Sequence, residues 1–295
     1  MTRPGEASLR ARLSQGPILV APGAYDALSA RLIEEAGFPA VYASGAGASY
    51  SLLGAPDLGL LSFGEMLDQV RRIAQAVSLP VIADGDTGYG NALNVQRTVR
   101  EFESAGADAI QLEDQGFPKR CGHLLEKTLI PPEEMVAKIQ AAREARRSSD
   151  FLLIARTDAL LSEGLDAALD RLDRYAKAGA DVLFLEAPPD RETFRRARAH
   201  LTGPLMANMV EGGRTPLLSA SELKELGFQL VIFPGAAART AAFAVREMLS
   251  TLRQDGSTRA AMDRMLLFDA LNAVVGLPQA LSAGRRFQGG PAPPG

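Results

Sequence analysis

The sequence has one cysteine, two histidines and no excess of basic residues among its 295 positions. A single cysteine cannot form a disulfide within the chain, which agrees with a reducing compartment. The formal charge is -3, so the chain lacks the basic surface that binding to a nucleic-acid backbone requires. These scarcities exclude a disulfide-stapled domain and argue against a nucleic-acid partner.

Long apolar runs and a signal segment are also missing. No stretch approaches the roughly 18 uncharged apolar residues that span a bilayer. The first residues, MTRPGEASLRARLSQG, contain no apolar run followed by a small-residue cleavage site. Because 46% of the residues are apolar and glycine and proline usage is ordinary, we expect a globular cytoplasmic protein without a membrane partner.

Two kinds of apolar segment recur along the chain, and each predicts a strand. Segments of the first kind follow a small residue and a glycine, as after a helix end. They are AGFPAVYASG from Ala36, AGADAIQLED from Ala105, AGADVLFLEA from Ala178 and LGFQLVIFPG from Leu226. Segments of the second kind lie between them. They are GPILVAPG from Gly16, LPVIADGD from Leu79, DFLLIARTD from Asp150 and GPLMANMV from Gly203.

Helical periodicity fills the segments between these strands and indicates an α/β protein. Eight such units in about 250 residues predict a closed (β/α)8 barrel of the TIM type. A doubly wound open sheet is the alternative, but VAPGAYDA follows the first strand instead of G-x-G-x-x-G. We expect residues 1–255 to form the catalytic barrel and residues 256–295 an extra apolar C-terminal helix and a disordered Gly/Pro tail, within one domain.

Polar residues end most of the predicted strands, and these positions converge at one end of a closed parallel barrel. They are Ser44, Asp84, Asp86, Glu113, Arg156, Asp158, Glu186 and Asn208. Several carboxylates around one cavity would repel one another unless a cation held them ionised. Oxygen donors favour Mg²⁺, or Mn²⁺, over Zn²⁺. A residue after a strand is also a common helix N-cap, and Thr157-Asp158 is typical of that role.

The segment PKRCGH after the fourth predicted strand contains the single cysteine and one of the two histidines. Lys119, Arg120 and His123 would stabilise a Cys121 thiolate, which makes Cys121 a candidate acid or base. A covalent nucleophile is the other reading, although no oriented partner for His123 is evident. A buried, inert cysteine is the structural alternative.

Two glycine-rich segments, SGAG from Ser44 and EGGRTP from Glu211, also fall at this end of the predicted barrel. Their backbone amides could receive a carboxylate or a phosphate, although each segment alone is more typical of a turn.

Several motifs in the same order resemble the isocitrate lyase and phosphoenolpyruvate mutase superfamily over about residues 15 to 255. They are SGAG, GAPDLG, DGDTGYGN, LEDQ, PKRCGH, ARTDA, LEAP and ANMVEGGRTP. KRCGH is similar to the lyase branch, whose cysteine protonates the carbanion left by carbon-carbon cleavage. The resemblance implies a Mg²⁺-dependent lyase that converts a 2-methylisocitrate- or 2,3-dimethylmalate-type substrate to pyruvate and a carboxylic acid.

The resemblance leaves alternatives open. EGGRTP is more similar to alkylmalate-cleaving members and to carboxyphosphonoenolpyruvate mutase than to members that act on a tricarboxylate. The alternatives are a phosphonate-forming mutase and an enzyme that cleaves oxaloacetate or an alkylmalate. A non-catalytic binding protein on the same barrel is a third possibility, because fold alone does not determine activity.

The resemblance also implies roles for single residues. It implies Asp84 as the direct Mg²⁺ ligand, with Asp57, Asp86 and Glu113 around it, mainly through water. Cys121 is implied as the proton donor. Further implied residues are Tyr42 for activating the substrate hydroxyl, and Lys119 and His123 in a segment that closes over the site. Ser44, Gly45 and Ala46 are implied to hold the oxo-acid part of the substrate. The other implied substrate contacts are Arg120, Gly122, Arg156, Glu186, Asn208, Glu211 and Thr215. It implies a homotetramer in which neighbours exchange the C-terminal helix.

Overall fold

A computed structural model describes residues 8–14, 16–122 and 127–287. The chain divides into two compact units, Met1–Ala238 and Arg239–Gly295. The strands are β1 (Leu19–Ala24), β2 (Val41–Ala43), β3 (Val81–Asp84), β4 (Ala109–Glu113), β5 (Leu152–Thr157), β6 (Val182–Leu185), β7 (Leu205–Asn208) and β8 (Leu230–Phe233). Each strand pairs in parallel with the next, and β8 pairs with β1, so the barrel closes. The prediction of a (β/α)8 barrel is confirmed.

Helices follow the strands in alternation. They are α1 (Leu9–Ser14), α2 (Ala27–Glu35), α3 (Gly45–Ala48), α4 (Phe63–Ala76), α5 (Ala92–Ala105), α6 (Pro132–Ala145), α7 (Leu160–Glu163), α8 (Leu165–Ala178), α9 (Arg191–His200), α10 (Ala220–Glu225), α11 (Ala236–Asp255), α12 (Phe268–Val274) and α13 (Leu277–Phe287). A π-helical turn spans Ser49–Leu53 and a 3-10 helix spans Arg259–Arg264.

The repeated small residue and glycine end helices, as the sequence predicted. Gly106 ends α5 with φ 102° and Gly179 ends α8 with φ 115°, in the left-handed region that glycine adopts without strain. The corresponding glycines after α2 and α10, Gly37 and Gly227, also have positive φ. Each copy therefore stops a helix and turns the chain into the next buried strand.

The interior of the barrel is an apolar cluster that α1 completes. Leu9 and Leu13 of α1 belong to the same cluster as Leu19 and Phe184, which lie on strands. Arg12 donates to the carbonyl oxygen of Pro39, shortly before β2. The strands begin at this end, so α1 covers the N-terminal end of the barrel and the polar strand ends lie at the other.

A second apolar layer lies between the sheet and its helices. Val95, Val99 and Phe102 form the buried face of α5, and each is fully buried. Burying side chains of this size contributes about 1.5 to 3 kcal/mol each. Asn91 caps the same helix, because its side chain accepts hydrogen bonds from the amides of Leu93 and Asn94. This layer holds the strand ends in fixed positions.

The C-terminal apolar segment is not the single helix that the sequence predicted. The backbone is extended at Met265 and Leu267, between the 3-10 helix and α12. Gly276, with φ 82°, then separates α12 from α13. Helical hydrogen bonding cannot continue through either break. The predicted tail lies partly outside the described residues, and the predicted boundary at residue 255 stays a prediction.

Arg259–Phe287 is apolar and largely exposed, with Ala261 as a buried exception. It reaches a mean hydropathy of 1.3, and none of its most apolar window is buried. By length and composition alone it is apolar enough to cross a membrane, which is weak support because other apolar helices meet the same criterion. The predicted apolar C-terminal segment includes this stretch, and Asp269 within it interrupts the run of uncharged residues.

Candidate active site

Carboxylates from several strand ends and loops meet at the C-terminal end of the barrel. Asp84 ends β3 and Glu113 ends β4, and both are buried. Asp86 N donates to Asp84 Oδ1 at 3.3 Å, and Glu113 N donates to the Asp86 carbonyl oxygen at 2.9 Å. Lys119 Nζ lies 2.5 Å from Asp57 Oδ1 and 2.8 Å from Asp86 Oδ1. The four predicted metal ligands thus form one carboxylate cluster, Asp57, Asp84, Asp86 and Glu113, beside a buried ammonium group.

Burial is the main cause of altered acidity in the carboxylate cluster. It raises the pKa of Asp86 to about 6; Lys119 opposes this change, and the charges of Asp84 and Asp57 add to it. Burial likewise raises the pKa of Glu113 well above its ordinary range. The sequence argument ascribed such shifts to repulsion between carboxylates, whereas desolvation is the larger effect.

The carboxylate cluster fits a hard divalent cation. Glu113 Oε1 is buried and has no hydrogen-bond partner within the described residues, so its lone pairs are available to a ligand. Within residues 8–14, 16–122 and 127–287, no three His, Cys, Asp or Glu side chains form a ready-made metal cage. Mg²⁺ suits such a site, because it prefers carboxylate oxygens and usually keeps several waters.

Ser44 and Gly45 bring the start of α3 against the carboxylate cluster. Ser44 is the N-cap of α3, and its hydroxyl accepts a hydrogen bond from Gly47 N at 3.1 Å. Gly45 N donates to Asp84 Oδ2 at 3.2 Å. A Cβ at position 45 would stand 2.8 Å from that oxygen, so this close approach requires glycine. Ala46 follows in the same helix and is partly buried.

Tyr42 of β2 is linked to Asp84 through Gln111 of β4. The Tyr42 hydroxyl donates to Gln111 Oε1 at 2.9 Å, and Gln111 Nε2 lies 3.4 Å from Asp84 Oδ1. Burial raises the pKa of Tyr42 well above its ordinary value, and the charge of Asp84 adds to this effect. The hydroxyl therefore stays protonated near neutral pH and acts as a hydrogen-bond donor.

Sequence reasoning missed Gln111, because only residues at strand ends were considered. Gln111 is fully buried in the middle of β4. A polar residue inside the apolar run AIQLE was the available signal, since a buried amide needs hydrogen-bond partners.

Arg156 connects carboxylates on both sides of β5. Its Nη1 lies 3.4 Å from Glu113 Oε2 and 3.7 Å from Glu186 Oε2. Asn208, at the end of β7, approaches the Glu186 carboxylate with Nδ2 at 3.2 and 3.3 Å. Asn208 Oδ1 is buried without a hydrogen-bond partner among the described residues. This side of the site thus offers a guanidinium and an unused amide oxygen to a ligand.

Residues Lys119–Gly122, the thiol segment, are fastened to the barrel by backbone and side-chain bonds. Arg120 N donates to Gln115 Oε1 at 3.0 Å, and Gln115 Nε2 donates to the Arg120 carbonyl at 2.8 Å. Cys121 N donates to the carbonyl oxygen of Asp57 at 3.2 Å. The half-buried cysteine is thereby fixed beside a residue of the carboxylate cluster.

Gly122 packs directly against the side chains of Arg156 and Glu186. A Cβ at position 122 would lie 2.5 Å from Glu186 Oε1 and would also overlap the Arg156 guanidinium. The backbone of the thiol segment therefore reaches both the carboxylate cluster and the groups around Arg156. His123, which the sequence argument paired with Cys121, lies outside the described residues.

Glu211 and Thr215 lie between β7 and α10, after Asn208. Thr215 is buried, and its Oγ1 has no hydrogen-bond partner in the part of the chain that the structure describes. Glu211 is partly buried. A buried hydroxyl without a partner is available for a bond to a ligand, as expected of a substrate contact.

The predicted cap at Thr157-Asp158 is wrong for Asp158, whereas the Thr157 hydroxyl accepts a hydrogen bond from Ala159 N at 3.2 Å. Arg156 Nε and Nη2 donate to the two oxygens of the Asp158 carboxylate at 2.8 and 2.9 Å, and Lys127 Nζ donates to Oδ1 at 2.6 Å. Helix α7 instead begins after Ala159, without a side-chain cap. Two buried cations bind a carboxylate more strongly than a backbone amide does. Sequence reasoning also missed Lys127.

The chain matches the phosphoenolpyruvate phosphomutase family over residues 9–253. It is 47% identical to 2,3-dimethylmalate lyase of Eubacterium barkeri over 271 residues, which cover 92% of this chain and 94% of that protein. It is 45% identical to 2-methylisocitrate lyase of Aeropyrum pernix over 265 residues, which cover 90% of this chain and 85% of that protein.

Solved structures of similar proteins share the whole fold. A trigonal crystal form of 2,3-dimethylmalate lyase matches with a TM-score of 0.90 and 42% identity, over 96% of this chain and 97% of that one. Oxaloacetate acetylhydrolase in complex with 3,3-difluorooxalacetate matches with a TM-score of 0.91 and 39% identity, over 97% of each chain. Phosphonopyruvate hydrolase in complex with oxalate and Mg²⁺ matches with a TM-score of 0.86 and 34% identity, over 95% and 98%. The chain therefore belongs to the phosphoenolpyruvate mutase and isocitrate lyase superfamily.

Proposed function

We propose that this carbon-carbon lyase cleaves a 2-hydroxy di- or tricarboxylate, of the 2,3-dimethylmalate or 2-methylisocitrate type, to pyruvate and a carboxylic acid. One observation carries the proposal. Asp57 contacts the thiol segment twice, through its carboxylate to Lys119 Nζ at 2.5 Å and through its carbonyl to Cys121 N at 3.2 Å. Asp57 thus holds Cys121 beside the carboxylate cluster, which places a proton donor next to the proposed metal site, as acid-assisted cleavage at that site needs.

Mg²⁺ is the proposed cofactor, with Mn²⁺ as a substitute. Asp84 would hold it directly, with Asp57, Asp86 and Glu113 around it. When bound, it supplies Lewis-acid polarisation of a substrate oxygen. The oxygen donors of the carboxylate cluster and the unpartnered Glu113 Oε1 support this assignment.

The protein's own groups divide the remaining work. We assign the oxo-acid half of the substrate to Ser44, Gly45 and Ala46, at the start of α3. Tyr42 is proposed to activate the substrate hydroxyl by accepting a hydrogen bond from it, because the proton of its own hydroxyl is donated to Gln111 Oε1. Lys119 keeps the carboxylate cluster partly neutralised through its contacts with Asp57 and Asp86.

The other half of the substrate faces Arg156, Glu186 and Asn208, with Glu211 and Thr215 as further contacts. The substrate hydroxyl loses its proton to a carboxylate of the carboxylate cluster, and its oxygen becomes the carbonyl oxygen of pyruvate. As the carbon-carbon bond breaks, its electron pair stays with the carbon α to the carboxylate of the departing acid. Cys121 Sγ gives its proton to that carbon, and the thiol segment excludes water from the carbanion. His123 and Arg120 are proposed to tune the thiol.

Oxaloacetate cleavage is the second candidate function. The TM-score of 0.91 with oxaloacetate acetylhydrolase supports its inclusion. A phosphonate-forming mutase ranks lower, because the resemblance of KRCGH is to the lyase branch.

A substrate panel tests the proposal. We would measure pyruvate release from 2,3-dimethylmalate and 2-methylisocitrate, and oxalate release from oxaloacetate, with Mg²⁺ and with a chelator. We expect Mg²⁺-dependent pyruvate release from at least one of the first two acids. Oxalate release alone would favour the second candidate, and no product from any of them would contradict both.

We also propose a cytoplasmic homo-oligomer, a tetramer by the family resemblance. Large apolar side chains are exposed in the second unit, including Phe243 (58%), Leu267 (54%) and Phe268 (80%). Exposed apolar surface of this kind is typical of protein interfaces. Another copy of the chain is the proposed cover for it.

A further inference from the structure

Lys127 connects the thiol segment to Asp158, which directly follows β5. The proposed mechanism needs both parts of the chain in fixed positions. Lys127 Nζ donates to the Gly122 carbonyl oxygen at 2.6 Å and to Asp158 Oδ1 at 2.6 Å. Its side chain is only 5% exposed. A buried ammonium group with two short bonds of this kind links its partners firmly, because each bond is charge-assisted and shielded from water.

The Asp158 end of this link is fixed by the barrel. Its carboxylate receives two hydrogen bonds from Arg156, at 2.8 and 2.9 Å. Its backbone N donates to Asp114 Oδ1 at 2.9 Å, and Asp114 is in turn held by the Tyr175 hydroxyl at 2.7 Å. Burial alone would raise the pKa of Asp158, but Arg156 and Lys127 hold it below the ordinary value, so the group stays a carboxylate.

The other end of this link is the carbonyl oxygen of Gly122, which directly follows Cys121 in the sequence. Upstream, the thiol segment is held through Cys121 N and through the paired bonds between Arg120 and Gln115. Downstream of Cys121, the bond from Lys127 to the Gly122 carbonyl holds it against the barrel.

We propose that Lys127 is a positioning residue, whose ammonium group ties the Gly122 carbonyl to Asp158 and thereby fixes Cys121 in place. The geometry of the link carries this inference. Its consequence for turnover rests on the proposed function, because a misplaced acid slows only a reaction that uses it.

The test exploits the single cysteine, because a thiol reagent labels only position 121. Lys127→Met keeps the length of the side chain and removes its charge and donors. We expect iodoacetamide to alkylate Cys121 at least about fivefold faster in this variant, because the released thiol segment exposes the thiol more often. The alkylation rate is measured from the intact mass of the protein over time. Lys177→Met, at an exposed lysine of α8, should match the unmodified protein.

A second variant keeps the test informative if Lys127→Met does not fold. Asp158→Asn weakens the same link from its other end, and we expect faster alkylation there too. A thermal melt identifies a variant that is unfolded at the assay temperature. An unchanged alkylation rate in both folded variants would overturn the proposal.

Kinetics separate positioning from a purely structural role. We expect Lys127→Met to lower kcat by about tenfold or more with KM within about twofold, and Lys127→Arg to restore part of kcat. If Lys127→Met and Lys127→Arg lose kcat equally and the alkylation rate of Cys121 is unchanged, the positioning role is contradicted. Alkylation needs no substrate, so a silent substrate panel with faster alkylation refutes the proposed function and leaves the role of Lys127 standing.

Discussion

Arg156 holds the Asp158 carboxylate through two parallel hydrogen bonds, Nε to Oδ2 at 2.8 Å and Nη2 to Oδ1 at 2.9 Å. The same guanidinium lies 3.4 Å from Glu113 and 3.7 Å from Glu186. One buried cation thus stands among three carboxylates. The two parallel bonds to Asp158 fix the orientation of the guanidinium plane, so that Nη1 faces Glu113 and Glu186.

Arg156→Lys tests the need for that geometry. A lysine keeps the charge but cannot make two parallel bonds to Asp158, so substrate groups facing it would be misplaced. We expect kcat/KM to fall by about 100-fold, which is about 2.7 kcal/mol. Arg174→Lys, at a side chain that is 39% exposed, should leave kcat/KM unchanged. Full activity of Arg156→Lys would rule out bidentate positioning.

Gly122→Ala tests the tight packing of the thiol segment. The added Cβ would stand 2.5 Å from Glu186 Oε1 and still closer to an Arg156 Nη atom, so either the thiol segment or these two side chains must shift. We expect kcat to fall by about tenfold or more, because such small displacements cost reaction rate. Gly64→Ala is the control, since its Cβ meets nothing within 4 Å in α4. Equal kcat in the two variants would contradict the packing argument.

Cys121→Ser tests the proton donor. A serine hydroxyl is a far weaker acid than a thiol, so we expect at least about a 100-fold loss of kcat. Binding of Mg²⁺, measured as the rise in melting temperature, should be unchanged, because the carboxylate cluster is intact. Normal turnover by this variant would refute the acid role of Cys121.

Asp84→Asn tests the metal site without an activity assay. We expect millimolar Mg²⁺ to raise the melting temperature of the unmodified protein, because a ligand that binds only the folded state stabilises it. Asp84→Asn should lose most of this rise, since it removes the charge of the direct ligand. Asp166→Asn, at a side chain that is 89% exposed, should keep it. A full Mg²⁺ response in Asp84→Asn would exclude Asp84 as the ligand.

Phe268→Glu tests the proposed assembly. Phe268 is 80% exposed in the second unit, and a charge there would be buried if another copy covered it. We expect light scattering after gel filtration to show a smaller species than the unmodified protein. Leu93→Glu, at a 73% exposed residue of α5, should not change the mass. An unmodified protein that is already monomeric would contradict the proposal.

The barrel was predictable because its units repeat in the sequence. Each copy pairs a helix-ending glycine with an apolar run, as Gly106 and Gly179 show, and these local signals need no knowledge of distant contacts. Closure then determines which residues converge. Asp84 and Glu113 were therefore predictable as neighbours from their positions at strand ends alone.

Partners across long stretches of chain were not predictable. Lys127 and Asp158 are 31 positions apart, and Tyr42 and Gln111 are 69 apart, so each contact depends on packing that no local pattern encodes. Asp158 was taken for a helix cap because local amides were the only partners visible in the sequence. In the C-terminal segment, Gly276 was a visible stop signal that the apolar pattern outweighed.

The helix α1 gives the barrel a closed base. Leu9 and Leu13 cover one end of the barrel and apolar side chains fill its interior, so a ligand cannot pass through the barrel along its axis. A substrate bound at the polar strand ends therefore enters and leaves on the side of the C-terminal strand ends. If two fragments are produced there, they share one exit, and the one nearer the base must wait for the other to depart.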